Sequence, residues 1–520
     1  MIDYRELLSL AIPQIILVVT ALLLMAVDFV ALRRASTATR FTTASVLGSL
    51  GCALAITQIA MTHGQANLFD GVLMGTPFVR IVQIAILTLT IATLLLAVGS
   101  SFTRHVAEYV LLVLLATAGM LFLVATHDLL VIFISIELLS LSLYILSAFN
   151  KQSRFSWEAA LKYFLFGGMS AAFLLYGFSI LYGLSNSTSL PEIATAIHVV
   201  SPLLIISIVS VTVGLGFKVA AAPFHFWAPD VYQAAPIPSA AFIASGSKVA
   251  SFIVFFQLAA IGLAGNQGTA NLGHFVRGWV PVIAIVATVS MLLGNLVAIR
   301  QRSVRRLLAY SAVAHAGYML LALVAHNQQS LASLVYYVIT YSVATIGAFA
   351  VLGVMEVQTG SDFLPELAGI SRREPVLSFC LGLFLLSLAG IPPLAGFFGK
   401  FYLFVAVLQS TPGSMPLLWL VILAISTSAV SLYYYLRVLK NIYVTLPRAA
   451  APGDGGYSGQ LAIPESGERA VAVVDLDSPR APHSGLGLTR LVAVILAGIV
   501  VLLGFFPSLI VNPILNALAN

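Results

Sequence analysis

Read from its first residue, the chain is a succession of long apolar runs separated by short polar turns. The runs are continuous rather than alternating, a pattern of buried helices and not of strands in a barrel. Fourteen of them are long enough to cross a bilayer: 8–32, 41–61, 79–100, 107–126, 128–149, 158–183, 201–230, 237–262, 279–299, 304–325, 329–357, 376–409, 415–443 and 488–511. A hydrocarbon core of about 30 Å takes about 20 residues of helix. Lipid offers no partner to an open backbone amide, so each crossing is predicted to be helical. The seventh and twelfth runs are overlong and contain prolines: Pro223 and Pro229 in "VGLGFKVAAAPFHFWAPD", and Pro392 and Pro393 in "AGIPPLAGFFGKF". Proline removes a backbone hydrogen bond and kinks a helix. Both runs are therefore predicted to be broken helices, tolerated at membrane depth only where protein or water covers the freed groups. The first run follows "MIDYRE", which has no net positive charge, and it is too long for a signal-peptide core, so it reads as a membrane helix.

Composition narrows the class further. The 520 residues are 60% hydrophobic and only 8% charged, with a mean hydropathy of +1.03, whereas a soluble domain carries about a quarter charged residues. The net charge of +6 is not a nucleic-acid footprint, because no basic stretch is interleaved with aromatics. It is loop charge, and it orients the chain. With the N-terminus outside, eighteen Lys and Arg fall in inner loops, and three (Arg5, Arg80, Arg277) fall outside. Four remain inside spans: Lys162, Lys218, Lys248 and Lys400. Cys52 and Cys380 lie in apolar runs with no disulfide or metal spacing. No phosphate-binding glycine loop, nucleophile triad or metal cluster accompanies them, so the chain has no visible energy source of its own. The segment from Pro447 to Gly485 is rich in Pro, Gly, Ala and Ser and reads as a flexible cytoplasmic loop.

The chemistry lies in the charges left within the membrane. Each costs about 2.5–3.5 kcal/mol at the bilayer centre, so four lysines and a glutamate facing lipid would cost more than about 10 kcal/mol. They are predicted to face the bundle interior and to pair. Burial disfavours an ammonium and a nearby carboxylate favours it; an amine held between the two can exchange a proton. Glu137 lies within the fifth span, Lys218 directly before the seventh-span break, and Lys400 after the twelfth-span break. Lys248 has Ser245 and Ser251 at i−3 and i+3, a polar stripe if the helix is continuous. His225 follows Lys218 by seven residues, on nearly the same face if that helix continues. His315 is mid-span, with Ser311 at i−4 and Tyr318 at i+3. Lys162 lies nearer the inner end, where snorkelling is open to it. Glu108 opens the fourth span, either interfacial or part of the relay, and Asp28 reads as interfacial.

Spans four to eight and nine to thirteen form two sets of five. The fourth member of each is the broken, lysine-bearing helix, and the second carries Glu137 or His315. Five is odd, so the sets are predicted to be inverted relative to one another, as in transport folds with mid-membrane sites. The predicted division is an N-terminal three-helix segment (1–106), two five-helix repeats (107–262 and 279–443), the cytoplasmic loop (447–487) and a C-terminal transmembrane helix (488–520). The fold class is thus an all-α polytopic membrane protein of about fourteen transmembrane helices, with two inverted repeats that each contain a broken helix.

At "ISIELLSLSLYILSAF", "EAALKYFLFGGMSAAFLLYG", "GLGFKVAAAPFHFWAPDVYQAAP", "RRLLAYSAVAHAGYML" and "LAGIPPLAGFFGKFYLF", the chain resembles the antiporter-like membrane subunits of respiratory complex I, the proton-pumping NADH:quinone oxidoreductase. It resembles subunit N more than L or M; subunit L carries an aspartate where Lys400 stands and a long lateral helix. The resemblance implies a proton-translocating subunit of a bacterial inner membrane. FMN, iron–sulfur clusters and quinone would be held by partner subunits and none by this chain. Its neighbours would be subunit M and the subunit K/J side. It implies that Glu137 and Lys218 are a coupled pair with Lys162 as modulator, that Lys248 is the central connector with His225 and His315 along the axis, and that Lys400 titrates on the exit side. The segment Pro447–Gly485 is longer than subunit N leads one to expect. An ion pair 4 Å apart is worth about 4 kcal/mol at an effective dielectric of about 20, about three decades in a protonation equilibrium. Two other readings use the same helices: a subunit of a Mrp-type cation/proton antiporter, and a membrane anchor whose buried charges only specify packing.

Overall fold

The computed structural model describes residues 4–62, 64–98, 100–272, 274–410, 415–446 and 486–519. The predicted loop at 447–487 lies outside the described residues except for its last two. Among the described residues the fold is all-α apart from two small hairpins, 66–68 with 73–75 and 269–271 with 274–276. In chain order the helices are α1 (Tyr4–Val30), α2 (Thr37–Met61), α3 (Pro77–Ala97), α4 (Val106–Val124), α5 (Leu129–Ser147), α6 (Arg154–Ser185) and α7 (Leu190–Ala196). Then follow α8 (Pro202–Lys218), α9 (Trp227–Ala234), α10 (Ile237–Ala244), α11 (Gly246–Gln257), α12 (Trp279–Arg300), α13 (Val304–Ala325) and α14 (Gln328–Thr359). The last are α15 (Pro375–Ala389), α16 (Ala395–Leu408), α17 (Leu418–Tyr443), α18 (Leu486–Phe505) and α19 (Ser508–Ala519). Among the described residues twelve spans, counting α10–α11 as one, are long and apolar enough to cross a membrane, against fourteen expected, because the seventh and twelfth runs are divided into shorter helices.

Both proline-bearing runs are broken as their sequences predict. The seventh divides into α8 and α9 around 219–226, and extends to Ala234 rather than ending at residue 230; the twelfth divides into α15 and α16 around 390–394. Two features depart from expectation. The eighth run is also interrupted: Ser245 adopts φ −122°, ψ −88° between α10 and α11, and its hydroxyl donates to the Ala241 carbonyl at 2.6 Å. Ser245 and Lys248 therefore do not share one continuous helical face, and the predicted polar stripe is broken. No proline marks this site; a serine reaching back to the i−4 carbonyl competes with the helical pattern. The fourteenth run, expected over 488–511, stops at Phe505, and a further helix, α19, starts at Ser508 and buries Ile514.

The turns gather at two ends of the bundle. At one end, His127 N–H donates to the Gly71 carbonyl (2.7 Å) and Leu190 N–H to that of His127 (2.8 Å), while Asp128 caps α5 through Leu130 and Val131 N–H. At the other, here called the basic end, Val304 N–H donates to the Asp362 carbonyl (3.0 Å), Ser303 caps α13, and Arg40 reaches Asp28 (2.7 Å). Asp28 is accordingly a paired end-of-helix charge. Burial is uneven: α10–α11 is wholly enclosed, and α13 and α14 are 94% so, whereas α1, α6 and α17 keep most of their surface outward. The innermost helices are the ones that carry Lys248 and His315.

Candidate functional site

Lys218 is the last residue of α8, where the helix stops and Ala220 takes up a left-handed conformation (φ +59°). Groups released by the break are recovered: Trp227 Nε1 donates to the Phe217 carbonyl (3.0 Å), and Ala222 N–H to Ser290 Oγ on α12 (2.8 Å). The Lys218 ammonium donates to Ser140 Oγ (2.5 Å) and the Tyr144 hydroxyl (3.3 Å), both on α5. Among the described residues no ion pair joins Lys218 to Glu137. Ser140, one turn beyond Glu137 on α5, is the residue that Lys218 meets instead. One Glu137 carboxylate oxygen is buried without a partner. The residue borders the outward face of α5 marked by Leu130, Ile134, Leu141 and Ile145.

Tyr144 reaches Lys218 only because α6 offers no side chain at Gly167: a Cβ there would lie 1.9 Å from the Tyr144 hydroxyl. Gly167→Ala is expected to push that hydroxyl away from Lys218 and to reproduce the transport phenotype of Tyr144→Phe, read as proton uptake in vesicles. Unequal phenotypes would mean the ring has another way to settle.

Lys248 on α11 is 1% exposed. Its Nζ donates to the Ala312 carbonyl of α13 (3.2 Å) and lies 5.2 Å from the centre of the Tyr341 ring. His315 follows directly: its ring is 5.0 Å from that of Tyr341 and 5.9 Å from that of Tyr318. Its nitrogens meet the hydroxyls of Tyr337 (2.8 Å) and Tyr435 (3.3 Å), and Tyr435 also bonds Ser311. Lys400 on α16 lies 5.1 Å from the Tyr318 ring. It donates to the carbonyls of Leu388 (3.1 Å) and Ala389 (3.0 Å) and to Ser428 Oγ (2.8 Å). Those carbonyls are the open C-terminus of α15, the negative end of a helix dipole. Gly390 turns the chain there at φ +88°, and a Cβ on it would meet the Lys400 side chain at 3.1 Å. The order Lys248, Tyr341, His315, Tyr318, Lys400 is thus a continuous run of polar and aromatic contacts through the most enclosed helices. Lys400 has three acceptors, Lys218 two and Lys248 one, so each ammonium is held by dipoles and ring faces rather than by a carboxylate.

Three predicted residues lie elsewhere. His225 sits in the break between α8 and α9, stacked on Phe226 (4.7 Å) with Nδ1 buried and unpartnered; because the helix stops at Lys218, the two do not share a face. Lys162 pairs with Glu158 (2.9 Å) and Asp230 (2.8 Å) at the basic end, and Asp230 pairs with Arg306 (2.7 Å). Its partners are these carboxylates and not Lys218. Glu108 pairs with His105 (3.1 Å), both about half exposed, in the first turn of α4, which suits a carboxylate at a helix N-terminus. It is not part of the buried run. Ser140, Tyr144, Asp230, Tyr337, Tyr341 and Tyr435 were not singled out from sequence. The i, i+4 spacings of Ser140 with Tyr144 and of Tyr337 with Tyr341 are the local signals among them. Among the described residues no cluster of His, Cys, Asp and Glu could hold a metal.

The family model for the transmembrane region of NADH:quinone oxidoreductase and Mrp antiporter subunits matches residues 126–430. NADH-quinone oxidoreductase subunit N 2 of Acidobacterium capsulatum is 49% identical, over 98% of this chain and 99% of its own. NAD(P)H-quinone oxidoreductase subunit 2 of Synechococcus elongatus is 38% identical over 86% and 83%. A chain of respiratory complex I from Thermus thermophilus superposes with a TM-score of 0.74 at 31% identity, covering 96% of this chain and 98% of that one. A chain of the Mrp complex from Dietzia has a TM-score of 0.78 at 21% identity, over 98% of this chain and 97% of that one, a likeness of fold alone. The chain belongs to the NADH:quinone oxidoreductase/Mrp antiporter family of multi-pass membrane subunits, as a subunit N of NADH:quinone oxidoreductase.

Proposed function

We propose that this chain carries protons for the oxidoreductase complex from Lys218 to Lys248 and on along the buried run through His315 to Lys400. The observation that carries the reading is the enclosure of the three lysines, 7, 1 and 4% exposed, none with a carboxylate in contact among the described residues. An ammonium so held is costly, and each site can return to a neutral amine by passing its proton on. The tyrosine hydroxyls and the imidazole between Lys248 and Lys400 both accept and donate hydrogen bonds, which proton hopping requires.

The trigger is electrostatic. Glu137 borders an outward apolar face of α5, where a neighbouring subunit would cover it, so a charge change in that subunit alters the field at Lys218. Oxidation of NADH and reduction of quinone then belong to partner subunits that hold FMN, iron–sulfur clusters and quinone. The neighbours are subunit M on one side and the K/J subunits on the other. The complex sits in the bacterial inner membrane with the basic end inward and the N-terminus outside. The two proline-broken runs, each with a lysine beside its break, fit two inverted five-helix units over 107–262 and 279–443. The Mrp-type alternative shares the fold, but the relatives named above favour the oxidoreductase.

The test is proton pumping. In the assembled complex, reconstituted in vesicles, Lys218→Ala and Glu137→Ala are expected to lower the ratio of protons moved to NADH oxidised. An unchanged ratio in both would remove them from the pathway.

A further inference from the structure

Away from the run of lysines, the basic end of α14 holds a buried carboxylate that the mechanism above does not use. Arg305 donates through Nε to the Tyr232 carbonyl (2.8 Å) and through Nη2 to that of Ala235. Its guanidinium therefore closes the C-terminus of α9. The same guanidinium lies 3.5 Å from Glu356 Oε2, with the two side chains only 9% and 19% exposed. Among the described residues the other carboxylate oxygen, Glu356 Oε1, is buried and has no hydrogen-bond partner. Nor has the Tyr232 hydroxyl, on a residue that is 0% exposed. Buried polar atoms without a protein partner are destabilising unless water bridges them.

These groups lead somewhere. Glu356, Phe349, Thr345 and Tyr341 recur on α14 at steps of seven, four and four, so they share one face. The Tyr232 ring packs on Phe349 at 5.9 Å. The Thr345 hydroxyl, between Phe349 and Tyr341 on that face, is like that of Tyr232 buried without a hydrogen-bond partner among the described residues. Tyr341 in turn faces Lys248. We propose that Glu356 is the entry site through which protons from the basic end reach Lys248, by way of Tyr232 and Tyr341. The proposal rests on the transport reading above and gives it a loading residue. Ionised Glu356, held opposite Arg305, takes a proton from water at the basic end and becomes neutral. It passes that proton inward; each hydroxyl along the way accepts one proton and releases its own. Neutral Lys248 becomes ammonium, and Glu356 regains its charge beside Arg305. Nothing is oxidised, and one proton enters for each one delivered.

The experiment compares proton-to-electron ratios in vesicles for the intact complex carrying Glu356→Gln, Lys248→Met, Tyr232→Phe or the double change Arg305→Gln/Glu356→Gln. Glu356→Gln is expected to lose as much of the ratio as Lys248→Met. Tyr232→Phe, which keeps the ring and removes only the hydroxyl, is expected to lose the same share. The double change removes both charges together, so it is expected to restore the amount of assembled complex but not the ratio. If Lys248→Met lowers the ratio while Glu356→Gln and Tyr232→Phe keep it, or if the double change restores it, Glu356 is only the counter-ion of Arg305. If Lys248→Met itself keeps the ratio, the transport reading fails and the entry route fails with it.

Discussion

Lys248→Met is expected to stop translocation through this chain while leaving the helices assembled. Methionine nearly matches the length of the lysine stem and is well tolerated in apolar surroundings, and Lys248 contributes one hydrogen bond, to the Ala312 carbonyl. That carbonyl already has its place in α13, so little packing is lost. What disappears is the amine that lies between the Ala312 carbonyl and the Tyr341 ring. Removing one positioned proton-transfer group slows the step on the order of 10²-fold or more. The readout is loss of this chain's whole share of the proton-to-electron ratio, with NADH oxidation by the detergent-solubilised complex retained. A ratio equal to wild type would mean that protons pass from Lys218 to Lys400 without Lys248.

Arg305→Ala is expected to have the largest effect on stability. The change uncovers the C-terminal carbonyls of α9 at Tyr232 and Ala235, which the guanidinium closes, and strands Glu356 without its cation. Breaking a buried pair from one side costs about 3–5 kcal/mol, because the remaining charge keeps its desolvation penalty. The expected observation is a marked fall in assembled complex and in its thermal midpoint, with partial recovery when Glu356→Gln is added. Arg305→Lys is not a conservative change here, since one ammonium cannot span two carbonyls and a carboxylate as a planar guanidinium does. The exposed pair at Lys162 and Glu158, by contrast, contributes little. An Arg305→Ala complex as stable as wild type would show that α9 needs no cap.

How far could the chain be read without its fold? Membrane insertion is a local property: twenty apolar residues in a row decide it wherever they occur, and the helix-breaking chemistry of Pro223 and of Pro392 and Pro393 is equally local. So most of the spans, the two proline breaks and the positions of Glu137, Lys218, Lys248, His315 and Lys400 along the chain were legible from sequence. The break at Ser245 was not, because a serine bends a helix only when its neighbours hold it bent. Partner choice belongs to tertiary structure throughout. Residues distant in sequence meet there: Lys218 finds Ser140 and Tyr144, Lys162 finds Asp230, and Arg305 finds Glu356. The amino-acid pattern determined that ionisable groups would lie inside the membrane, since their cost there forbids a lipid-facing place. Only the packing of α5, α13, α14, α15 and α17 decided which dipoles, rings and hydroxyls would meet them, because those contacts depend on distances between helices that no stretch of sequence contains.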